Sequence, residues 1–229
     1  MRQSQVYTYW TSSRFRRNIG KLRHLYKSSY FKLQSRIRGF QDYFHFPFDI
    51  TKPMPSSSQE ELFDLVNFLN SKGVEYLLAE GTLLGLVRDG KLISHDTDLD
   101  FYLTDTKSIE DIHVYLSAKG YKVGRRLKRN QLLFQITYFN SEDLLIDFLI
   151  WKRTFDGDFF WVGPEIKGKR VQSSSFFDYP TYITWKGLSI RTFGKYESWL
   201  ELVYGDSWKI PEEQKTDWTK TIGDLKKSR

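Results

Sequence analysis

The 229-residue chain contains no cysteine, which excludes disulfide frameworks, cysteine zinc sites and thiol nucleophiles. A chain without disulfides suits a reducing cytosol. No stretch approaches the roughly 20 apolar residues needed to cross a bilayer. An apolar signal-peptide core is also missing, since Arg14, Arg16 and Arg17 stand where it would lie. The expected location is therefore cytoplasmic, with peripheral contact at the inner face of a membrane as a variant. Neither GxGxxG nor GxxxxGK[ST] occurs, so dinucleotide-binding and P-loop readings lose their main support. Internal repeats are absent. Acidic residues are missing from residues 1–41, which hold ten Lys or Arg and no Asp or Glu. The remaining residues hold 25 basic and 28 acidic side chains, so the net charge of +7 belongs to an arm and the body is close to neutral. A nucleic-acid-binding body would be expected to carry a basic face of its own.

Aromatic residues are plentiful, at 17%, and they serve cores, sugar sites and membrane interfaces alike. Residues 1–50 interleave Tyr7, Tyr9, Trp10, Phe15, Tyr26, Tyr30, Phe31 and further rings with the basic side chains. This pattern reads as a basic helical arm that either packs its rings on the body or lies on an anionic membrane surface. Pro53, Pro55 and Ser56–Ser58 then read as a linker, giving an arm over 1–50 and a catalytic domain over 51–229. Ser58-x-x-Glu61 predicts a capping box, and Leu62, Leu65, Val66 and Leu69 follow at helical spacing. Strands are expected over Val74–Ala79, Thr97–Leu103, Tyr121–Leu127, Leu132–Phe139 and Leu144–Trp151. Helical segments are expected over Leu83–Val87, Ser108–Lys119 and Tyr196–Tyr204. Phe155–Thr192 gives mixed signals. The order argues for an α+β fold, a mixed sheet with helices packed on one side.

The informative stretch runs Glu80-Gly81-Thr82-Leu83-Leu84-Gly85-Leu86-Val87-Arg88, then Ser94-His95-Asp96-Thr97-Asp98-Leu99-Asp100-Phe101. Strand side chains alternate faces, so Asp98 and Asp100 share one, while Leu99 and Phe101 point to the core. Carboxylates that close repel, and burying them unpaired is costly. Hard divalent cations bound by oxygen ligands relieve this, and Mg²⁺ typically takes one or two carboxylates plus substrate phosphates. Asp147 lies in the apolar run Leu144-Leu145-Ile146-Asp147-Phe148-Leu149-Ile150. If that strand neighbours Asp98–Asp100, a three-carboxylate site results, able to bridge phosphate oxygens through metal. The plainer readings are a calcium loop, a solvated turn, or a strand Asp meeting an Arg. Gly81 would let the backbone approach a phosphate. Thr82 would add a hydroxyl donor or cap the helix. Arg88 would grip a donor phosphate or form a surface ion pair. His95 reads as a substrate contact or base, or as an ordinary polar neighbour. Lys128 and Arg129 read as steering charges or a solvated hairpin, and Tyr204 and Trp208 as site cover or core.

Gly81-Thr82-Leu83-Leu84-Gly85-x-x-Arg88, with His95-Asp96-Thr97-Asp98-Leu99-Asp100, resembles the signature of the LicD family, which includes bacterial phosphocholine transferases and fukutin-type phosphotransferases. Val203-Tyr204-Gly205-Asp206-Ser207-Trp208-Lys209-Ile210-Pro211 is similar to that family's closing Tyr-Gly…Trp…Pro element. The resemblance covers about Ser58 to Pro211. It implies a nucleotidyltransferase fold, and metal held by Asp98, Asp100 and Asp147. It also implies a CDP-linked donor such as CDP-choline, CDP-ribitol or CDP-glycerol, and a glycan acceptor on a cell-envelope polymer, a lipid or a protein. Two departures stand out. Thr97 replaces a middle acid, on a position that strand alternation turns inward, and His95 replaces a common Trp.

The function expected is transfer of a phospho-alcohol group from a CDP-activated donor to a glycan hydroxyl, with Mg²⁺ or Mn²⁺ as cofactor. Nucleotidyl transfer onto a small molecule or protein is the alternative within the same fold. A non-catalytic nucleic-acid- or membrane-binding module is the alternative from another class.

Overall fold

The computed structural model describes residues 40–44, 47, 52–162 and 170–211. The expected helical arm before residue 40 and the polar tail beyond Pro211 lie outside them. The first described element is strand β1 (Phe40–Phe44), followed by helix α1 (Ser58–Ser71). Leu62, Leu65, Val66 and Leu69 recur at i, i+3, i+4 and i+7 and are buried together. The capping box does not form. Ser57 holds the N-cap position, Ser58 Oγ donates to the Pro55 carbonyl at 2.6 Å, and Glu61 pairs across to Lys119 at 3.4 Å.

Strand β2 (Tyr76–Leu78) leads into helix α2 (Glu80–Arg88), and a loop returns to strand β3 (Asp98–Leu103). Helix α3 (Ile109–Ala118), the hairpin β4 (Lys122–Arg129) and β5 (Leu132–Phe139), and strand β6 (Leu145–Ile150) follow. The expected elements in this half all occur. The region of mixed signals resolves into β7 (Lys152–Arg153), β8 (Phe159–Trp161), β9 (Arg170–Gln172) and the short helix α4 (Ser174–Phe177). The hairpin β10 (Thr181–Trp185) and β11 (Leu188–Thr192) and helix α5 (Tyr196–Tyr204) complete the series.

The main sheet has eight strands in the order β1-β4-β5-β6-β3-β2-β11-β10, and β7-β8-β9 form a small second sheet. Pairings β3–β6 and β2–β11 are parallel and the others antiparallel, so the sheet is mixed. Strand β1 falls within the segment read as an arm, yet it is an edge strand of the main sheet, paired to β4 from Phe40↔Arg129 to Phe44↔Arg125. No helix among the described residues is long and apolar enough to cross a membrane.

The two faces of the sheet differ. On one, Phe101 stacks with Phe148 at 5.3 Å and meets Tyr76 edge-on, and Tyr138 continues the row to His113 of α3. Helices α1 and α3 close this side, joined by a stacked Phe68–Tyr115 pair and by Lys119 bridging to Asp64 at 2.6 Å. On the other face, Tyr102 packs against Trp151, Phe193 and Trp199 of α5. The longer helices α1 and α3 thus share one side as expected, while α5 lies across the other. That second face carries the acids.

Candidate active site

Asp98, Asp100 and Tyr102 point to one face of β3 because strand side chains alternate. Parallel pairing sets Asp100 opposite Asp147 and Asp98 opposite Leu145, and residues paired across parallel strands share a face. One carboxylate oxygen from each of Asp98, Asp100 and Asp147 lies within 4.8 Å of the others. Leu99 and Phe101, pointing the other way, are fully buried, so a one-residue slip would drive the acids into the apolar layer beneath α1 and α3. The register is therefore fixed by the core.

Each acid has a support. Asp147 accepts hydrogen bonds on both oxygens, from Gln135 Nε2 at 2.9 Å and from the Thr137 hydroxyl. Thr137 is its cross-strand partner on β5. Asp98 accepts from the Thr97 hydroxyl at 3.2 Å. Thr97 lies just before the strand begins, so its side chain reaches the acid site and does not turn inward as alternation suggested. Asp100 is buried, and its backbone N–H donates to Thr82 Oγ1 at 2.9 Å. Burial raises the Asp100 pKa well above the usual carboxylate range, and the charges of Asp98, Asp96, Asp147 and Glu80 push it further. Oxygen-only donors under this much mutual repulsion fit a hard cation, so the three acids could hold a metal ion.

Helix α2 opens directly beside the acids. Ala79 N–H donates to the Asp100 carbonyl at 3.1 Å. An added Cβ on Gly81 would come within 2.1 Å of Asp96 Oδ2, and one on Gly85 within 2.6 Å of the Lys91 carbonyl. The two glycines, one helical turn apart, let the loop between α2 and β3 fold back onto the helix. Gly81 thus receives the Asp96 carboxylate, whose Oδ1 also accepts the Thr97 N–H at 2.9 Å. Thr82 is fully buried and faces Asp100 from beneath, while the N-cap residue of α2 is Ala79. Arg88 lies at the far end of α2, where Nε and Nη2 donate to both oxygens of Asp89 at 2.9 and 2.7 Å. His95 is exposed on the turn before β3.

Sequence reasoning missed Gln135 and Thr137, although their alternation within the apolar run of β5 was a visible signal. It also missed a buried polar cluster one residue pair deeper than Asp100. The Tyr102 hydroxyl donates to Glu80 Oε1, and Arg170 Nη1 meets the same oxygen at 2.9 Å. Nothing in the sequence around Arg170 distinguishes it. Tyr204, at the end of α5, is partly buried, and Trp208 is core. Burial, with the field of Glu80, Asp100 and Asp96, raises the Tyr204 pKa well above that of a free phenol. Its hydroxyl therefore stays protonated.

Residues 73–201 match the LicD/FKTN/FKRP nucleotidyltransferase domain. The chain belongs to the LicD family. Over 174 residues it is 26% identical to ribitol-5-phosphate transferase FKTN from Homo sapiens, and equally to that from Macaca fascicularis. These alignments cover 72% of the chain but 36% of each relative, so this LicD protein spans about a third of their length. Among solved structures it is similar to the lincomycin-bound lincosamide antibiotic adenylyltransferase LnuA, with a TM-score of 0.46 and 18% identity over 76% of this chain and 98% of that one. It is also similar to the antibiotic-resistance factor ANT(2'')-Ia, at 0.44 and 10% over 76% and 86%. The glycine pair, the Asp98–Asp100 strand and Asp147 all fall inside the matched LicD domain.

Proposed function

We propose that this LicD protein transfers a phospho-alcohol group, such as phosphocholine or ribitol phosphate, from a CDP-linked donor to a hydroxyl of a glycan. The observation that carries the reading is the register Asp100↔Asp147, which gathers three carboxylates inside a LicD domain. The likeness to ribitol-5-phosphate transferases supports phosphotransfer as the reaction type. Asp98, Asp100 and Asp147 would hold Mg²⁺ or Mn²⁺. When bound, such an ion neutralises charge on the donor diphosphate.

The remaining work falls to the chain. The N-terminal turn of α2 at Gly81 offers backbone N–H groups to phosphate oxygens. Thr82 holds Asp100 in place from below, and Tyr204 supplies a neutral donor. The acceptor oxygen bonds to the phosphorus that carries the alcohol, and the bond from that phosphorus to the bridging oxygen breaks. CMP leaves with that oxygen, and the hydroxyl proton passes to a site carboxylate, Asp147 in our reading. Arg88, paired with Asp89 at the far end of α2, and the exposed His95 are proposed as contacts for the donor or acceptor. The acceptor we favour is a lipid- or protein-linked glycan at the cytoplasmic face of a membrane, approached by the basic residues 1–39.

The test is thermal stability with Mg²⁺ or Mn²⁺, alone and with CDP-choline, CDP-ribitol, CDP-glycerol or ATP. One CDP compound should stabilise the protein in a metal-dependent way, and Asp98→Asn and Asp100→Asn should each abolish the effect. Stabilisation by ATP alone would turn the assignment to nucleotidyl transfer. No ligand response in any arm would remove the enzymatic reading.

A further inference from the structure

Glu80, the first residue of α2, has φ of +45°. This is the left-handed region, where glycine is at ease and a residue with a long side chain is rare. Glycine follows immediately, at Gly81. A left-handed Glu immediately before the phosphate-facing turn needs a holder, and the structure provides one. Arg170 Nη1 meets Glu80 Oε1 at 2.9 Å and the Tyr102 hydroxyl at 3.2 Å. The Tyr102 hydroxyl closes the triangle onto Glu80.

Arg170 is itself fixed. Its side chain is 6% exposed, and its guanidinium lies 5.1 Å from the Trp199 ring and 5.5 Å from the Trp151 ring. Among the described residues its Nε and Nη2 have no hydrogen-bond partner, so the two indoles face the rest of the cation. A buried charge pair of this kind is a poor way to gain stability, because desolvation offsets much of the attraction. Its effect is to impose one conformation. Tyr102 is on the same face as Asp100, two residues along β3, which puts the cluster directly behind the acids. It thereby joins four elements of the site: α2 through Glu80, β3 through Tyr102, the end of β6 through Trp151, and α5 through Trp199.

We propose that Arg170 is a positioning residue of the active site: by gripping Glu80 it holds the first turn of α2 in its left-handed start and so fixes Gly81 relative to Asp96 and Asp100. The inference rests on the proposed reaction, and its experiment separates the two. Four variants are compared: Arg170→Met, Glu80→Gly, Glu80→Ala/Arg170→Met and Glu80→Gly/Arg170→Met. Both double variants remove the orphaned buried carboxylate, but glycine alone accepts φ of +45° without help.

Four quantities are read: melting temperature, Mn²⁺ affinity by paramagnetic resonance titration, and kcat and KM with the CDP compound that the stability screen selects. Arg170→Met should lower kcat by about a hundredfold, the scale of a misplaced reacting group, while Mn²⁺ affinity stays within about threefold because the three acids are untouched. Glu80→Gly/Arg170→Met should recover most of kcat and melt above Glu80→Ala/Arg170→Met, which should recover little, both being assayed at a temperature where they are fully folded. Equal recovery in both doubles, or full activity in Arg170→Met, would overturn the positioning role. Should Arg170→Met fail to fold, the two doubles still decide. If the wild-type chain neither binds Mn²⁺ nor turns over any CDP compound, the proposed reaction is what fails, and a melting temperature equal in the two doubles then removes the backbone role as well.

Discussion

Asp100 illustrates how a single side chain can set function against stability. Its pKa is raised first by burial and then by four neighbouring carboxylates. A carboxyl whose pKa is higher folded than unfolded binds more protons in the native state. Its favourable contribution is complete below the ordinary carboxylate range and is lost as pH rises through the raised value. Without divalent ions the protein should therefore lose stability as pH climbs from about 4 towards neutrality. Asp100→Asn removes the titration. At neutral pH and in chelator the variant should melt higher than wild type, the gap should close near pH 4, and added Mg²⁺ should stabilise wild type alone. Melting curves across pH test all three points, and an Asp100→Asn variant less stable at neutral pH would contradict the account. A gain in stability with loss of the Mg²⁺ response is the expected signature of a carboxyl buried for a ligand and not for the fold.

At the scale of elements, the two glycines of α2 make a contrast that separates packing from chemistry. A methyl at Gly85 meets the Lys91 carbonyl, which is backbone and cannot easily yield, whereas a methyl at Gly81 meets the tip of the Asp96 side chain. Gly85→Ala should therefore destabilise by about 1–3 kcal/mol, as overpacking typically does. Gly81→Ala should change stability little and instead displace the Asp96 carboxylate from the mouth of the site. Donor turnover should fall in Gly81→Ala at nearly wild-type melting temperature. The reverse ranking of the two variants in melting temperature would refute this reading of the loop.

The same elements show what the sequence discloses. Helix α1 and strands β3, β5 and β6 were legible because their apolar periods were clean, and the acids stood out against them. The β10–β11 hairpin was not. Its turn places Lys186 at φ of +49° and Gly187 at +77°, and lysine is not a residue that announces a left-handed turn. The capping box fails because both serines find other partners: Ser57 Oγ, at the N-cap, donates to Glu142 at 2.5 Å, and Ser58 Oγ donates to the Pro55 carbonyl. Arg170 was invisible for a different reason. Its partners Glu80 and Tyr102 lie 90 and 68 residues away, and no local pattern encodes such a meeting.

For the whole molecule, β1 makes the boundary between arm and body a practical matter. Strand β1 covers one edge of β4, and an uncovered strand edge invites pairing with other chains. A protein lacking residues 1–39 should keep the melting temperature and any hydrolysis of free donor, while losing transfer to a membrane-linked acceptor. Removing residues 1–45 takes the edge strand away, and this form should melt lower and aggregate. Equal behaviour of the two truncations in light scattering would show that β1 adds nothing to the sheet.

The parallel pairing of β3 with β6 has a kinetic consequence. Asp100 and Asp147 come from strands separated along the chain by α3, β4 and β5, and pairings of such long separation tend to form late. An ion that needs both acids has nothing to grip until that step is over. Divalent ions should then slow escape from the native basin while leaving the refolding limb of the chevron unmoved. Stopped-flow refolding that accelerates with Mg²⁺ would mean the two strands have already met at the top of the barrier.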